Sequence, residues 1–365
     1  AVALEAARQS IVLLKNQDNL LPLQKTLKSV AVIGPNADEQ KELICRYGPS
    51  NAPIKTVYKG IKEALPRAKV VYKKGCEIVD PHFPESEVLP FDITPKEQQM
   101  MDEAIEAAKS AEVVIMVLGG SEVTVREERS RTSLDLPGRQ EELLKAVCKL
   151  GKPTILVMID GRASSINYAK KYAPAILHAW FPGEFCGQAV AETIFGDNNP
   201  GGRLAVTFPK SVGQIPFAFP FKPGSDSGCG TSVTGALFPF GHGLSYTTFE
   251  YSNLRISPEQ QGVLGEVKVS CTVKNTGKRI GDEVVQLYLR DEISSVTTYV
   301  KILRGFERIT LQPNEEKEVT FTLSPQDLAI WDKNMKFQVE PGTFKVMIGA
   351  SSKDIKLEGK FTINK

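Results

Sequence analysis

Hydrophobic residues in the first two hundred positions fall into short continuous runs, separated by longer stretches that are polar on one side. The runs are SVAVIG at 29–34, KVVYK at 69–73, VVIMVLG at 113–119, TILVMID at 154–160, AILHAW at 175–180 and LAVTFP at 204–209. Strands that are apolar on both faces are typical of a buried, mostly parallel sheet. The pattern therefore predicts six strands in one sheet.

The stretches between these runs are long enough to cross over as helices. They cover 56–65, 95–110, 138–150, 164–171 and 185–195. Strands that alternate with helices indicate the α/β class, here an open, mostly parallel six-stranded α/β sandwich domain. Ahead of it, Leu4, Ala7, Ile11 and Leu14 recur at helical spacing, which predicts one leading helix over 3–20.

The hydrophobic period changes to two after Tyr251. Segments such as EVKVSCTVKN, EVVQLYLRD and TFKVMIGAS alternate apolar and polar residues, and turn sequences such as NTGK, QPNEE and VEPG separate them. About seven short strands at this spacing predict an all-β fibronectin type III-like (immunoglobulin-like) sandwich. This segment looks polar and carries no aromatic stripe, which favours a stabilising role over polysaccharide capture.

A region dense in Pro, Gly and Phe lies between the two patterns. A free linker would be rich in Gly and Ser without aromatic residues, so this region is interpreted as a connector that packs. The predicted organisation is an α/β sandwich domain with its leading helix at 1–215, the connector at 216–249 and the β-sandwich at 250–365.

Composition narrows the classes of function. The 365 residues exceed the roughly 250 to 300 that one hydrophobic core organises, which predicts two domains. The net charge of +2 gives no electrostatic field that would attract nucleic acid or an anionic membrane. No apolar run approaches the roughly 20 residues that span a bilayer. The six cysteines include no CxxC pair, so they are interpreted as buried thiols rather than bridges or metal ligands.

Several longer motifs occur in a fixed order along the chain. They are EAARQSIVLLKNQDNLLPL, VAVIGPNA, RTSLDLPGRQEELLKAV, NNPGGRLAVTFP, FPFGHGLSYTTFEY and, later, KILRGFERI, DLAIWD and PGTFKVMIGASS. Together they resemble the second half of glycoside hydrolase family 3 over essentially the whole chain. The resemblance implies an (α/β)6 sandwich plus a fibronectin type III-like domain, without the family's N-terminal (β/α)8 barrel and its nucleophilic aspartate.

The resemblance also implies a general acid/base. In the family this residue is a glutamate four residues before the Arg of a Glu-x-x-Asp-Arg pattern, on a sandwich-domain loop that leads to an LPG run. In GGSEVTVREERSRTSLDLPGRQ, counting back from Arg131 gives Glu127. Ser130 stands where the family often has Asp, and Glu128 and Glu122 are the alternatives.

Retaining glycosidases use one carboxyl group as nucleophile and a second as general acid and then base. A donor acid needs a raised pKa, and Arg126, Arg129 and Arg131 would oppose that. The hypothesis is that these arginines pair with Glu128, Asp135, backbone or barrel groups and leave Glu127 facing the glycosidic oxygen.

Two further residues are substrate-binding candidates, Arg126 on the same loop and Trp180 at a strand end. Trp180 could line the aglycone side of a sugar site, with ordinary packing as the alternative. His178, inside an apolar run, is interpreted as a core histidine with satisfied hydrogen bonds.

The resemblance implies a retaining, exo-acting β-glucosidase that removes terminal non-reducing β-D-glucosyl residues. The alternatives are β-xylosidase, or a non-catalytic sugar-binding or scaffold protein. The expected partners are a β-glycoside or oligosaccharide substrate and the barrel, without which this chain is expected to be inactive; a homodimer is left open. No metal or other cofactor is expected, and the compartment is undecided, with a periplasmic or secreted location favoured.

Overall fold

The computed structural model describes residues 2–40, 48, 53–225 and 232–365. The chain divides into two compact units. The first, here called the α/β unit, comprises Ala1–Gly202 and Phe208–Val212, and the second, the β unit, comprises Arg203–Thr207 and Gly213–Lys365. The domain limits at 215 and 249 stay predictions.

A six-stranded sheet forms the centre of the α/β unit, in the order β1-β6-β5-β4-β2-β3. Strands β2 to β6 run parallel, and β1 pairs antiparallel with β6 at one edge. The fold is therefore a mostly parallel six-stranded α/β sandwich, as predicted. Its strands are β1 (Val12–Asn16), β2 (Ser29–Ile33), β3 (Lys69–Lys73), β4 (Val113–Gly119), β5 (Thr154–Ile159) and β6 (Ala175–His178).

One predicted helix is shorter than expected, and one predicted strand is absent from the sheet. The leading helix ends at Ser10, because the residues from Ile11 to Leu14 are all buried and one side of a helix cannot bury four consecutive residues. They continue into β1, which is the sixth strand of the sheet. The run at 204–209 forms no ladder strand; Leu204 instead exchanges main-chain hydrogen bonds with the loop at 241–242 in the β unit.

The predicted crossover helices are present with slightly different ends. Thr56 caps the helix that follows it through the main-chain N–H of Lys59, and Thr94 with Glu97 forms a capping box at the next helix. The helices of this unit are α1 (Val2–Ser10), α2 (Val57–Ala64), α3 (Pro95–Lys109), α4 (Gln140–Cys148), α5 (Asn167–Tyr172) and α6 (Cys186–Phe195).

Helices α2 and α6 approach each other closely through two glycines. A Cβ atom on Gly187 would lie 1.9 Å from the carbonyl oxygen of Thr56, and one on Gly60 would lie 2.0 Å from the carbonyl oxygen of Gly187. A side chain at either position would force the helices apart.

The β unit is an all-β sandwich, as predicted. One sheet has the order β11-β10-β15-β16-β8 and the other β12-β9-β7, and buried residues such as Val269, Leu287 and Phe344 form a core cluster. Its elements are β7 (Phe249–Ser257), β8 (Gln260–Gly262), β9 (Val267–Asn275), β10 (Gly281–Asp291), β11 (Ile302–Leu311), β12 (Glu316–Leu323), α7 (Pro325–Leu328), β13 (Ile330–Trp331), β14 (Phe337–Gln338), β15 (Gly342–Gly349) and β16 (Ile355–Asn364).

Four cysteines lie in the described ranges and all are free thiols. Cys76, Cys186 and Cys271 are buried, and Cys148 is half-buried. Cys45 and Cys229 lie outside the described residues. None of the helices in the described ranges combines the length and the hydrophobicity that a membrane-spanning segment needs.

Candidate active site

The segments that follow β2, β4, β5 and β6 meet at the carboxyl-terminal edge of the parallel sheet, where ligands bind in open α/β folds. The side-chain amide of buried Asn36, after β2, donates to the carbonyl oxygen of Gly120, after β4, over 2.9 Å. Gly161, after β5, lies between two neighbours, since a Cβ there would be 2.7 Å from a Val125 methyl group and 2.9 Å from the Phe181 ring. The four segments therefore form one continuous surface.

The segment 120–133, here called the acid loop, begins with a tight turn. The N–H of Val125 donates to the carbonyl oxygen of Ser121 over 2.8 Å, and the N–H of Ser121 donates to the Thr124 hydroxyl over 2.9 Å. Ser121 and Thr124 are both buried. The start of the loop is thus fixed directly on the end of β4.

Arg162 bridges two points of the acid loop. Its Nε donates to the carbonyl oxygen of Thr124 over 3.0 Å, and its Nη2 donates to the carbonyl oxygen of Arg129. Glu127 lies between these two anchor points in the sequence. Arg162 therefore restrains the part of the loop that carries the predicted acid.

Asp160 orders the backbone beneath Arg162. One carboxylate oxygen accepts the main-chain N–H of Arg162 over 3.1 Å, and the other accepts the Ser164 hydroxyl over 2.6 Å. The side chain is almost completely buried, and this desolvation raises the pKa of the Asp160 carboxyl.

The far end of the acid loop is held by an ion pair between Arg131 and Glu87. The two side chains are only 5% and 7% exposed. Glu87 also accepts the main-chain N–H of Thr132 over 2.9 Å, and Arg131 donates to the carbonyl oxygen of Asp135 over 3.0 Å. These groups border a cavity of about 300 Å³ that is lined by other residues of the same region, including Asp80, Ser86 and Arg139.

The three candidate glutamates differ in their surroundings. Glu127 is exposed, and among the described residues its carboxylate makes no hydrogen bond or ion pair. Glu128 is also exposed, but its backbone is left-handed, with φ of 62°. Glu122 is half-buried and lies in the tight turn that begins the loop.

Of the two substrate-binding candidates, Arg126 is half-buried, and its Nε is buried with no hydrogen-bond partner in the described part of the chain. Trp180 is half-buried and packs against His178 and Phe208, with ring centroids 4.2 Å and 6.3 Å apart. The structure thus places both residues at the same edge of the sheet as the acid loop.

His178 is fully buried in β6, as its apolar surroundings predicted. Its Nδ1 accepts the main-chain N–H of Trp180 over 3.2 Å, and a hydrogen bond with the main chain of Arg162 raises its pKa and so opposes part of the effect of burial. Burial lowers the pKa of His178 to about 4, so the ring is neutral at physiological pH.

Sequence reasoning did not single out Glu87 or Arg162. Arg162 does follow the run at 154–160, at whose end functional residues were expected, but nothing in the sequence indicates which loop its guanidinium contacts. The described residues contain no group of three or more His, Cys, Asp or Glu side chains placed to hold a metal ion.

Two protein-family models match the chain. The glycosyl hydrolase family 3 C-terminal domain covers residues 11–246, and the fibronectin type III-like domain covers residues 283–352.

Similar proteins and solved structures cover nearly all of the chain. A β-xylosidase from Formosa agariphila is 45% identical over 96% of this chain and 48% of that protein. A periplasmic β-glucosidase from Salmonella typhimurium is 40% identical over 99% of this chain and 49% of that protein. The structure of a β-glucosidase from Erythrobacter marinus superimposes with a TM-score of 0.90 at 35% identity, over 99% of this chain and 50% of that one. This chain thus spans about half the length of the relatives that it matches.

Proposed function

This chain belongs to glycoside hydrolase family 3, as its C-terminal sandwich and fibronectin type III-like part, and we propose that it supplies the general acid/base to a retaining, exo-acting β-glycosidase. In this proposal Glu127 protonates the departing glycosidic oxygen and then deprotonates the incoming water. The nucleophilic aspartate lies on an N-terminal (β/α)8 barrel, which completes the active site.

The observation that carries the proposal is the contrast between Glu127 and its loop. The carboxylate is exposed and without a partner in the described chain, whereas the backbone on both sides of it is anchored by Arg162. An acid catalyst that acts in an active site shared with a second domain needs an exposed carboxyl group on an anchored backbone. The carboxyl group must extend away from its own domain, and its position must stay fixed. Retaining enzymes hold the two carboxyl groups roughly 5–5.5 Å apart, so small displacements of the loop would matter.

The surroundings of the loop also favour Glu127 over the neighbouring glutamates. Glu122 lies in the hydrogen-bonded turn beside β4, and the left-handed backbone of Glu128 turns the chain sharply at that residue. Arg131 is neutralised by Glu87 and does not need Glu127 as a partner. In the complete active site the barrel would exclude water from the surface around Glu127.

Arg126 and Trp180 complete the proposed contribution of this chain. The unpartnered Nε–H of Arg126 is a hydrogen-bond donor for a sugar hydroxyl or a barrel group. The half-buried ring of Trp180 offers an apolar face to the aglycone, while His178 and Phe208 hold it from within the unit.

The proposed substrate carries a terminal non-reducing β-D-glucosyl residue. A β-xylosyl substrate is the second candidate, because the relative that is 45% identical to this chain is named a β-xylosidase. The two sugars differ by the exocyclic hydroxymethyl group, and in the proposal the groups that contact it belong mainly to the barrel.

The experiment isolates the protein under native conditions from the cell that makes it and measures its intact mass together with hydrolysis of aryl β-glucosides and β-xylosides. The proposal expects barrel-sized mass beyond the 40.0 kDa of this chain, and activity that depends on it. A solitary 40.0 kDa species without glycosidase activity would instead support the non-catalytic scaffold.

A further inference from the structure

A second cavity, of about 340 Å³, opens within the β unit. Ligand pockets in proteins are commonly about 300 to 1,000 Å³, so the cavity can hold a small ligand or one unit of a larger one. Its lining combines aromatic rings with polar side chains, among them Asp291, Thr297, Thr298, Tyr299, Trp331 and Phe337.

The aromatic rings of this cavity are unusually accessible to solvent. Trp331 is 59% exposed, Phe337 50% and Tyr299 42%. Trp331 and Phe337 face each other across the β13–β14 pair, with ring centroids 5.3 Å apart. Clustered apolar surface of this kind on a folded protein commonly marks a binding site.

The backbone that presents Trp331 is held in place without a ligand. The Asp332 carboxylate accepts the main-chain N–H groups of Asn334 and Lys336 over 2.8 Å and 2.9 Å, and the side-chain amide of Gln338 over 3.0 Å. These bonds fix the turn between the two strands. Little ordering of the hairpin is then needed when a ligand binds.

A carboxylate lies beside the rings. One oxygen of Asp291 accepts the main-chain N–H of Ile293 over 3.2 Å, and no ion pair neutralises Asp291 among the described residues. Partial burial raises the pKa of Asp291 to about 6, and the negative charge of Glu340 adds to the shift. At neutral pH the group is therefore a charged acceptor with unused capacity for hydroxyl donors.

The chemistry of the lining selects a class of ligand. The lining carries a carboxylate, Asp291, and an ammonium group, Lys222, so it matches neither an anion nor a cation, and a lipid chain would bury the Asp291 carboxylate without a partner. A quaternary ammonium ion would suit the rings, but Lys222 also lines the cavity and opposes a cation. A pyranose is neutral, has an apolar C–H face for stacking and carries hydroxyl groups that donate to a carboxylate.

We propose that this cavity binds a pyranose unit of an oligosaccharide or polysaccharide, with Trp331 stacking on the sugar ring and Asp291 accepting hydroxyl hydrogen bonds. All the residues that would bind the sugar in this proposal belong to the β unit. The choice of β-glucan and xylan as probes rests on the proposed function, but the binding itself does not.

The test uses the 365-residue chain and affinity electrophoresis in gels that contain soluble β-glucan or xylan. Retardation is expected for the parent chain, and Trp331→Ala should weaken it at least tenfold, with Trp331→Phe retaining part of it. Phe306→Ala is the matched control, because Phe306 is 68% exposed on β11 and does not line the cavity. Glu127→Gln should bind like the parent chain, which separates failure of this site from failure of the acid/base assignment.

Fluorescence gives a second readout, since the chain has only two tryptophans. In a Trp180→Phe chain, cellotetraose or xylotetraose should shift the Trp331 emission to the blue and saturate. Three results would overturn the proposal. The first is retardation of Trp331→Ala equal to that of the parent chain, and the second is an emission change when choline chloride is added but none when either sugar is added. The third is self-association of the chain that Trp331→Ala abolishes, together with no detectable sugar binding.

Discussion

Arg131 and Glu87 form an ion pair in which both side chains are almost completely removed from solvent, one at the end of the acid loop and the other far upstream in the sequence. Removal of one partner leaves the other charge buried and uncompensated, which costs about 3 to 5 kcal/mol. Glu87→Gln should therefore lower the free energy of unfolding of the α/β unit by an amount in that range, measured by urea denaturation.

The exposed pair between Lys25 and Asp197 provides the control, because both side chains are 48% exposed. Asp197→Asn should change the free energy of unfolding by less than about 1 kcal/mol. Equal losses in the two variants would mean that burial does not increase the contribution of the Arg131–Glu87 pair to the free energy of unfolding.

Glu127→Gln tests the acid/base assignment in the complete enzyme. We expect kcat/KM to fall roughly 10²- to 10⁴-fold for an unactivated disaccharide, because its leaving group needs a proton. Aryl glycosides with acidic leaving groups should lose much less in the glycosylation step, and added azide should restore turnover because it attacks without a general base. Glu128→Gln and Glu122→Gln are the comparisons, and a similar leaving-group dependence in either of them would move the role to that residue.

Arg162→Ala tests whether the guanidinium positions the loop. The variant should reproduce part of the Glu127→Gln pattern, with a larger loss of kcat on poor leaving groups than on activated ones. Combined with Glu127→Gln it should cause little further loss, because a positioning residue has no effect once the acid is absent. Arg139→Gln is the control, because its guanidinium contacts Glu97 and Phe91 and not the acid loop. Any loss of kcat in Arg139→Gln should add to the loss in Glu127→Gln when the two are combined.

His178 gives the α/β unit a pH dependence whose sign follows from its lowered pKa. The unfolded chain binds a proton below about pH 6.5, whereas the folded chain does so only near pH 4. Stability is thus complete above pH 6.5 and falls by roughly 3 kcal/mol as the pH drops through 4. The variant His178→Asn keeps an acceptor for the N–H of Trp180. Its free energy of unfolding, measured by urea denaturation between pH 7 and 4, should lack this pH-dependent loss. His82→Asn, at an exposed histidine, should retain it.

Gly187→Ala tests the close approach of α2 and α6. The added methyl group would overlap the carbonyl oxygen of Thr56, so the free energy of unfolding should fall by about 1 to 3 kcal/mol or more. Gly262→Ala is the control, because a Cβ at Gly262 meets no atom within 4 Å. A loss in the control as large as that in Gly187→Ala would point to a general effect of replacing glycine.

The inner strands of the α/β sheet could be predicted because β4 and β5 are apolar on both faces, a pattern that few helices show. Strand β1 could not, because Leu4, Ala7, Ile11 and Leu14 also fit a helical period. Only its place beside β6 explains why Val12 and Leu13 are both buried. The run at 204–209 has a strand-like composition, but Leu204 exchanges hydrogen bonds with the loop at 241–242, and the carbonyl oxygen of Pro209 accepts the Ser165 hydroxyl.

The candidate site shows a similar division between local and long-range information. Glu127 is proposed from neighbouring residues in the sequence, whereas Arg162 and Glu87 contact the acid loop only after folding brings distant segments together. Tyr299, Trp331 and Phe337 likewise form no stripe in the sequence. They meet only because the β13–β14 pair and the segment before β11 border one cavity.

Arg162 contacts the acid loop through the carbonyl oxygens of Thr124 and Arg129, which every amino acid possesses. The exposed side chains at 128 and 129 can therefore be exchanged during evolution while the same two hydrogen bonds persist. Changes at these positions would alter the surface of the acid loop, and the backbone geometry proposed to position Glu127 would be inherited unchanged.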